Sequence, residues 1–348
     1  MRKKHRTLGG VAATLALAVV AAACSSNDSS STAGGDSGSA ASPVTGSIVI
    51  SGSSTVQPIS SFVAELFNQT NPDVSISVDG PGTGDGFVLF CKGETDISDA
   101  SRPIEPEEVK ACKKANIDYT ELEVGLDGIT VMTNPANSGV ECLNLGDLYA
   151  LFGPESAGID TWSGADSLAQ QVGGNGGFPD APLEITAPGE ESGTYDSFIS
   201  LAGIEDTALA QGVPEDQAAS LRNDYTASPD DNVIITATEG SDSALGFVGF
   251  AYAQNAADQV KEIQVDGGSG CVAPTTATIE DGSYPLSRSL YIYVNNAKLA
   301  ASPALKAFVD YYVSNDGLNT AVTETGYVPL PADRVSATQA AWSTASGS

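Results

Sequence analysis

Apolar and polar positions alternate with two different periods along the chain after residue 45. Residues 48–51 and 74–78 are short apolar or alternating runs of the kind that form β-strands. Residues 59–69 instead place Ile59 and Val63, with further apolar residues, at helical spacing, which predicts an amphipathic helix. Strands and helices that follow one another in this way are typical of α/β proteins.

The same patterns predict further elements as far as the C-terminal region. Helices are predicted at 85–91, 105–115, 145–152, 195–202 and 304–313, and strands at 128–133, 245–252 and 290–294. The Gly-rich residues 164–182 are predicted to be a surface loop. Roughly 300 residues follow residue 45, which is enough for two lobes that each bury a core.

The first residues have the pattern of a secretory signal. Cationic residues at positions 2–6 precede an apolar run at 8–23, which is too short for a membrane span of about 20 residues. The run ends in small residues before Cys24, which resembles the lipobox of bacterial lipoproteins and predicts acylation of Cys24. The alternative is an ordinary signal, cleaved with Cys24 incidental. Residues 24–45 then form a flexible Ser- and Gly-rich tether, and the protein is anchored to the outer face of the cytoplasmic membrane through lipid alone.

Removal of residues 1–23 changes the chemistry that the chain can perform. The single histidine, His5, leaves with the signal, which excludes a Ser-His-Asp hydrolase and a His-ligated zinc site. Four cationic residues leave as well, so the formal charge falls from 15 − 44 = −29 to 11 − 44 = −33. Such a chain repels nucleic acid and anionic lipid. We expect no cofactor, no metal and no nucleic-acid partner.

The remaining cysteines are even in number, as expected for disulfides in an oxidising compartment. None forms a CxxC pair. Of the three possible pairings we favour Cys91–Cys112, which closes a short loop, together with Cys142–Cys271, which constrains a long one.

Two loops rich in hydroxyl groups are the candidate chemistry. Residues 52–58 follow a predicted strand and precede a predicted helix, and residues 192–194 precede another helix about 140 residues later. Free N–H groups and hydroxyls at helix N-termini bind oxyanions. Each loop taken alone could equally be a plain helix cap. Ser192 lacks the GxSxG spacing and a histidine to activate it, so nucleophilic catalysis is disfavoured.

Three further residues extend this hypothesis. Thr83 lies at a predicted helix start within the Gly-rich residues 80–86, which lack the lysine of a P-loop. Arg102 and Arg222 are rare cations in an acidic chain, and a guanidinium presents a fork of donors to an oxyanion. The alternative for Arg102 is an ordinary salt bridge.

At these residues the chain resembles the phosphate-binding lipoproteins of the bacterial Pst-type phosphate ABC transporter. Seven segments between about residue 46 and residue 331 carry the resemblance, in the order of the family: GSSTVQP at 52–58, GETDI at 93–97 with SRPI at 101–104, DGITV at 127–131, SGTYDSF at 192–198, DYTAS at 224–228 with DN at 231–232, GFVGFAY at 246–252, and YPLSR at 284–288.

The resemblance implies a type II periplasmic-binding-protein fold, α/β in class, with two lobes, a ligand cleft and two crossover strands. Lobe 1 would comprise residues 46–131 and 285–348, and lobe 2 residues 132–284. The family implies a monomer that captures inorganic phosphate and delivers it to the permease subunits of an ABC transporter. The positions that match its phosphate contacts are Ser54, Thr55, Val56, Thr83, Ser101, Ser192, Gly193 and Thr194.

Two departures from the family pattern lead to specific hypotheses. Pro188 stands where many relatives carry an arginine, so we expect Arg222 or Arg102 to supply the cation. Ser101 stands where many carry the aspartate that accepts the proton of hydrogen phosphate and so rejects sulfate. We expect Asp127 to replace it, with Asp99 as the second candidate.

Three other functions remain open on the sequence. The protein could bind another tetrahedral oxyanion, such as sulfate, molybdate or tungstate. It could be a secreted phosphatase, although the mature chain lacks histidine. It could also be a structural surface protein or a phosphate sensor without a transport role.

Overall fold

The structure is a computed structural model that describes residues 44–190 and 192–347. The predicted signal, Cys24 and residues 24–43 of the predicted tether lie outside the described residues, and these interpretations therefore stay predictions. Within the described part of the chain, no helix combines the length and the apolar character that a membrane crossing requires.

The strands form two sheets. The nine-stranded sheet has the order β2-β1-β3-β12-β4-β8-β6-β7, with β9 paired to β4, and the three-stranded sheet has the order β11-β10-β5. The strands are β1 (Gly46–Gly52), β2 (Val74–Asp79), β3 (Ile97–Ala100), β4 (Tyr119–Thr133), β5 (Cys142–Asn144), β6 (Glu184–Ala187), β7 (Thr226–Ala227), β8 (Ala244–Gly249), β9 (Lys261–Glu262), β10 (Gln264–Asp266), β11 (Cys271–Val272) and β12 (Ser287–Asn295).

Helices cover both ends of the large sheet. They are α1 (Gln57–Asn68), α2 (Thr83–Phe90), α3 (Pro106–Lys114), α4 (Leu145–Phe152), α5 (Asp166–Gln171), α6 (Gly193–Leu201), α7 (Ile204–Gln211), α8 (Glu215–Ala218), α9 (Asp231–Glu239), α10 (Phe250–Asn255), α11 (Thr276–Glu280), α12 (Asn296–Ala301), α13 (Pro303–Tyr312), α14 (Asn315–Glu324) and α15 (Ala332–Ser346). Short 3₁₀ turns occupy Pro154–Ser156 and Ser163–Ala165.

Two long strands in the middle of the large sheet connect its two ends. Strands β1, β2 and β3 are mutually parallel on one side, and β6, β7 and β8 are mutually parallel on the other. Strand β12 pairs antiparallel with β3 and β4, and β4 changes its partner from β12 to β8 between Gly128 and Ile129. The arrangement agrees with two α/β ends joined by crossing strands; the division into lobes at 131 and 285 stays a prediction.

The helices that carry the candidate loops are held by aromatic packing. Phe67 of α1 lies edge-on to Phe308 of α13, with ring centroids 5.5 Å apart. Phe198 of α6 stacks on Phe247 of β8 at 4.0 Å. These rings are buried, and burial of their apolar area holds α1 and α6 in place against the sheet. The loops at the N-termini of the two helices are thereby positioned as well.

Both predicted disulfides are confirmed. Cys91–Cys112 links the end of α2 to α3, with Cα atoms 4.2 Å apart, and Cys142–Cys271 links β5 to β11 at 6.0 Å. They tie together segments that are 21 and 129 residues apart in sequence, which restricts the unfolded chain.

Two predicted elements are wrong in part. The predicted strand 245–252 ends at Gly249, where α10 begins, because Phe250 and Ala253 bury themselves at helical spacing. The predicted loop 164–182 contains α5, which packs Ala169 into the core. In both cases tertiary burial overrides the local composition.

Candidate functional site

The first hydroxyl-rich loop, residues 53–56, connects β1 to α1. A side chain at Gly52 would collide with the backbone oxygen of Asp99 in β3, so only glycine allows this approach. The amide of Ser53 donates to the same oxygen at 2.8 Å. The loop is therefore attached to the end of β3, and Pro58 near the start of α1 adds a preset helical φ.

Ser53 organises the amides of this loop, a role that sequence reasoning missed. Its Oγ accepts from the amides of Thr55 and Val56 at 3.2 and 3.3 Å. Val56 and Thr55 are buried, whereas Ser54 is partly exposed to the cavity described below. The amides of Thr55 and Val56 are therefore occupied by Ser53, and the loop presents the side chains of Ser53, Ser54 and Thr55 to the cavity.

The second loop, at the start of α6, lies directly against the first. Ser192 caps the helix by accepting from the amide of Thr194 at 3.2 Å. A Cβ at Gly193 would lie 3.2 Å from the Cα of Thr55, so the two backbones touch there. The hydroxyls of Thr55 and Ser197 are 3.1 Å apart. Residues separated by about 140 positions therefore meet at one place.

A cavity of about 680 Å³ opens beside this contact. Of the predicted ligands, Ser54, Thr55, Thr83, Ser101 and Arg102 line it, whereas Val56, Asp127, Ser192, Gly193, Thr194 and Arg222 do not. Thr83 and Ser101 form their own pair, since their hydroxyls are 3.1 Å apart and the Ser101 amide donates to Thr83 at 3.2 Å. The cavity wall is thus rich in hydroxyl groups from three loops.

Arg288 of β12 reaches both the first loop and helix α6, which begins at the second loop. Its Nη2 donates to Oγ1 of Thr55 at 3.1 Å and to Oγ of Ser197 at 2.6 Å. Its Nε lies 3.4 Å from Oδ2 of Asp127, its partner in the β4–β12 register. Sequence reasoning did not select Arg288 as a ligand, although it ends the YPLSR segment; the missing signal was the register that sets it opposite Asp127.

The two arginines that the sequence favoured are engaged elsewhere. Arg102 lines the cavity but forms two hydrogen bonds of 2.8 Å to Glu108, which raise the pKa of its guanidinium. Arg222 is buried and lies outside the cavity lining, where it donates to Asp224 and to the backbone oxygen of Ile159. Hydrogen bonding to Arg222 lowers the pKa of Asp224 to about 2.

The candidate carboxylates also differ in position. Asp99 is completely buried and accepts from Ser60 at 2.9 Å, and burial raises its pKa to about 7. Asp127 is buried beside Arg288. The carboxylates that line the cavity are Asp196, which accepts from Ser54 Oγ at 2.7 Å, and Glu205. In residues 44–190 and 192–347, no cluster of three His, Cys, Asp or Glu side chains is arranged to hold a metal ion.

Comparison with known proteins places this geometry in a family. The PBP superfamily domain matches residues 37–316. Protein SphX of Synechocystis sp. is 39% identical over 296 residues, which cover 84% of this chain and 82% of SphX. The phosphate-binding protein PstS of Staphylococcus saprophyticus is 32% identical over 287 residues, which cover 82% and 81% of the two chains. The chain belongs to the PstS family of the PBP superfamily.

A solved structure supports the same assignment. The crystal structure of a possible phosphate binding protein from Planctomyces limnophilus has a TM-score of 0.78 and 36% sequence identity, and the match covers 87% of this chain and 99% of that one. The periplasmic-binding-protein fold that the PstS-family resemblance implied is thereby confirmed. The crossing strands β4 and β12 then carry Asp127 and Arg288 to the point where the loops meet.

Proposed function

We propose that this PstS-family protein is an extracytoplasmic receptor that encloses inorganic phosphate and delivers it to an ABC permease. The observation that carries the proposal is the meeting of Thr55 and Ser197, from opposite ends of the sheet, at the guanidinium of Arg288. Relatives named for phosphate binding support the choice of anion. The family is one of binding receptors, and the site offers donors to an anion rather than a nucleophile with its base.

The ligands follow from the donors that converge. Hydroxyls of Ser54, Thr55, Thr83 and Ser101, which line the cavity, would contact the oxygens of the anion. The amides of Val56 and Thr194 now donate to the Oγ atoms of Ser53 and Ser192, so they would join, together with Ser192 and Gly193, only once the anion replaces those acceptors. We propose Arg288 as the cation, in place of Arg222 or Arg102. Its partners in the cavity are neutral hydroxyls, which a charged oxygen can replace with a stronger, charge-assisted hydrogen bond.

Selection of phosphate over sulfate requires an acceptor for the proton of hydrogen phosphate. We propose Asp196 for this role, because its carboxylate reaches the cavity and already accepts from Ser54. Asp127 would then act indirectly, by orienting Arg288. A fully ionised anion offers Asp196 no proton and leaves two acceptors facing each other, which is unfavourable.

Location and assembly complete the proposal. Acylation of Cys24 would hold the protein at the outer face of the membrane, and the tether would let a monomer reach the permease. Cys24→Ser tests the anchor, since the variant should leave the membrane fraction while the purified protein keeps its affinity. Retention of the variant in membranes would contradict lipid anchoring.

Titration calorimetry with inorganic phosphate, sulfate, molybdate and tungstate tests the ligand. We expect tight binding of phosphate and binding of the other anions weaker by at least about a hundredfold. Equal or tighter binding of another anion would overturn phosphate as the substrate. Phosphate assayed after denaturation of the freshly purified protein supplies a second, independent readout.

A further inference from the structure

Asp99 is a carboxyl group in an unusual position, on β3 directly beneath loop 53–56. Its side chain is wholly buried. Oδ1 accepts one hydrogen bond, from Ser60 Oγ at 2.9 Å, and Oδ2 has no hydrogen-bond partner. A carboxylate in such a place lacks the solvation that stabilises its charge, so burial favours the neutral acid.

The backbone of the same residue supports the anion loop. Its carbonyl oxygen accepts from the Ser53 amide at 2.8 Å, and the glycine at position 52 permits the close approach. Ser60, the partner of the carboxyl group, lies in the early part of α1, the helix that begins after this loop. The carboxyl group and an anion at Ser53–Thr55 would therefore both lie near the N-terminal end of α1.

Within the described part of the chain, burial and the Ser60 hydroxyl, rather than a cation, set the environment of the Asp99 carboxyl group. On the adjacent strands its register partners are Gly52 of β1 and Ile292 of β12. Ser60 of α1 donates to the carboxyl group, and the hydroxyl of Tyr312 of α13 lies 3.1 Å from the same Ser60 Oγ. Tyr312 is the titratable group that faces it among the described residues; burial and Asp99 raise the pKa of that tyrosine well above its usual value.

We propose that Asp99 is a buried proton acceptor coupled to the ligand, which takes up a proton from bulk solvent when a doubly charged oxyanion binds at Ser53–Thr55. This inference rests on the proposed function. Asp99 acts as a positioning residue through its backbone and as an electrostatic modulator through its side chain. It does not touch the anion.

The physical cause is repulsion through a poorly screened interior. An ionised carboxylate and a bound dianion would compete for the positive end of the α1 dipole. A neutral carboxyl group removes the repulsion at the cost of one proton. Burial already raises the pKa of Asp99 to about 7. A nearby anion would raise this pKa further and so shift Asp99 from the ionised to the neutral form near neutral pH.

Calorimetric titration of the full-length wild type and of Asp99→Asn with inorganic phosphate, from about pH 6 to about pH 8, tests the proposal. At the acidic end the two proteins should bind alike, because Asp99 is neutral in both. At the alkaline end Asp99→Asn should bind about three- to tenfold more tightly, because the repelling charge is gone. Asp73→Asn, at an exposed turn, is the control for loss of one surface charge and should follow the wild type.

Repetition in buffers of different ionisation enthalpy measures the protons taken up on binding. Near pH 7 the wild type should take up more protons on binding than Asp99→Asn, by up to roughly half a proton per phosphate. Because the two proteins are compared at one pH, the protons gained or lost by phosphate itself cancel. A purely structural role would instead weaken Asp99→Asn equally at every pH. Equal proton uptake, or parallel affinity profiles, would overturn the proposal.

A measurement on the wild type alone covers the case in which Asp99→Asn does not fold. The ¹³C signal of the Asp99 carboxyl group should titrate at a higher pH with bound phosphate than without it. An unchanged titration midpoint would contradict the inference while phosphate binding stands. Absence of any phosphate binding by the wild type would contradict the proposed function instead.

Discussion

The arginine at the crossing strands and the arginine behind α4 show how similar residues acquire different roles. Arg288 and Arg222 are both mostly buried and both lie beside an aspartate. Arg222 donates its hydrogen bonds to Asp224 and to backbone oxygens of the protein. Arg288 instead donates to the hydroxyl of Thr55 in the first loop and to that of Ser197 in α6. Arg288 pairs with Asp127 through Nε, at 3.4 Å, whereas its Nη2 donates to neutral hydroxyls and is available to an anion. Both Nε and Nη2 of Arg222 are hydrogen-bonded to Asp224, so that ion pair serves stability.

The largest effect should come from Arg288→Gln. Loss of the cation and its donor fork should weaken phosphate binding by about a hundredfold, or about 3 kcal/mol. Calorimetric titration measures it. Arg288→Lys should recover only part of the lost affinity, because an ammonium group lacks the planar fork of donors with which a guanidinium bonds several acceptors. An affinity within about threefold of the wild type in Arg288→Gln would remove Arg288 from the site.

Arg222→Met should have the opposite result to Arg288→Gln, with a loss of stability and little loss of phosphate affinity. It should lower the free energy of unfolding by about 2–3 kcal/mol, because Asp224 and the oxygens of Leu151 and Ile159 lose their donor. Urea denaturation measures the loss. The folded protein should keep its phosphate affinity within about threefold, and a much larger loss of affinity without a loss of stability would return Arg222 to the site.

Asp196→Asn should change selectivity more than affinity. The ratio of phosphate to sulfate affinity should fall by about ten- to thirtyfold, because an amide can donate to a fully ionised oxygen. Competition titrations with both anions provide the ratio. Asp127→Asn is the matched variant. It should weaken the binding of phosphate and sulfate by the same factor, because Asp127 acts by orienting Arg288. A fall of the ratio in Asp127→Asn alone would favour Asp127 as the proton acceptor.

The smallest effect should be the acid response of the Arg222–Asp224 pair. Because the folded-state pKa of Asp224 is about 2, below the ordinary value for an aspartate, the pair contributes stability above about pH 4 that is lost as pH falls through about 2. Asp224 is partly exposed, so we expect about 1 kcal/mol after screening. Asp224→Asn should be less stable than the wild type at neutral pH and equally stable near pH 2. A constant difference across this range would contradict the assignment.

Local patterns predicted most of the elements and some of their contacts. The predicted helix 145–152 has the bounds of α4, since its apolar spacing and its cap lie within one short segment. The disulfide pairs favoured among the three possible pairings, from the lengths of the loops that they close, are the pairs that the structure contains. The change from β8 to α10 at Phe250 did not follow, because a continuous apolar run is compatible with either structure until its neighbours are known.

The sequence by itself determined that this is an acidic, histidine-poor α/β chain whose hydroxyl-rich loops begin helices, because these properties depend on composition and on neighbours within a few residues. Only the tertiary structure decided which charges reach the cavity. Arg288 and Asp127 meet through antiparallel register between strands about 160 residues apart, and the Asp99 side chain is buried in the core, where it accepts from Ser60 of α1. Register and facing are set by burial across the whole sheet, which a single segment does not encode.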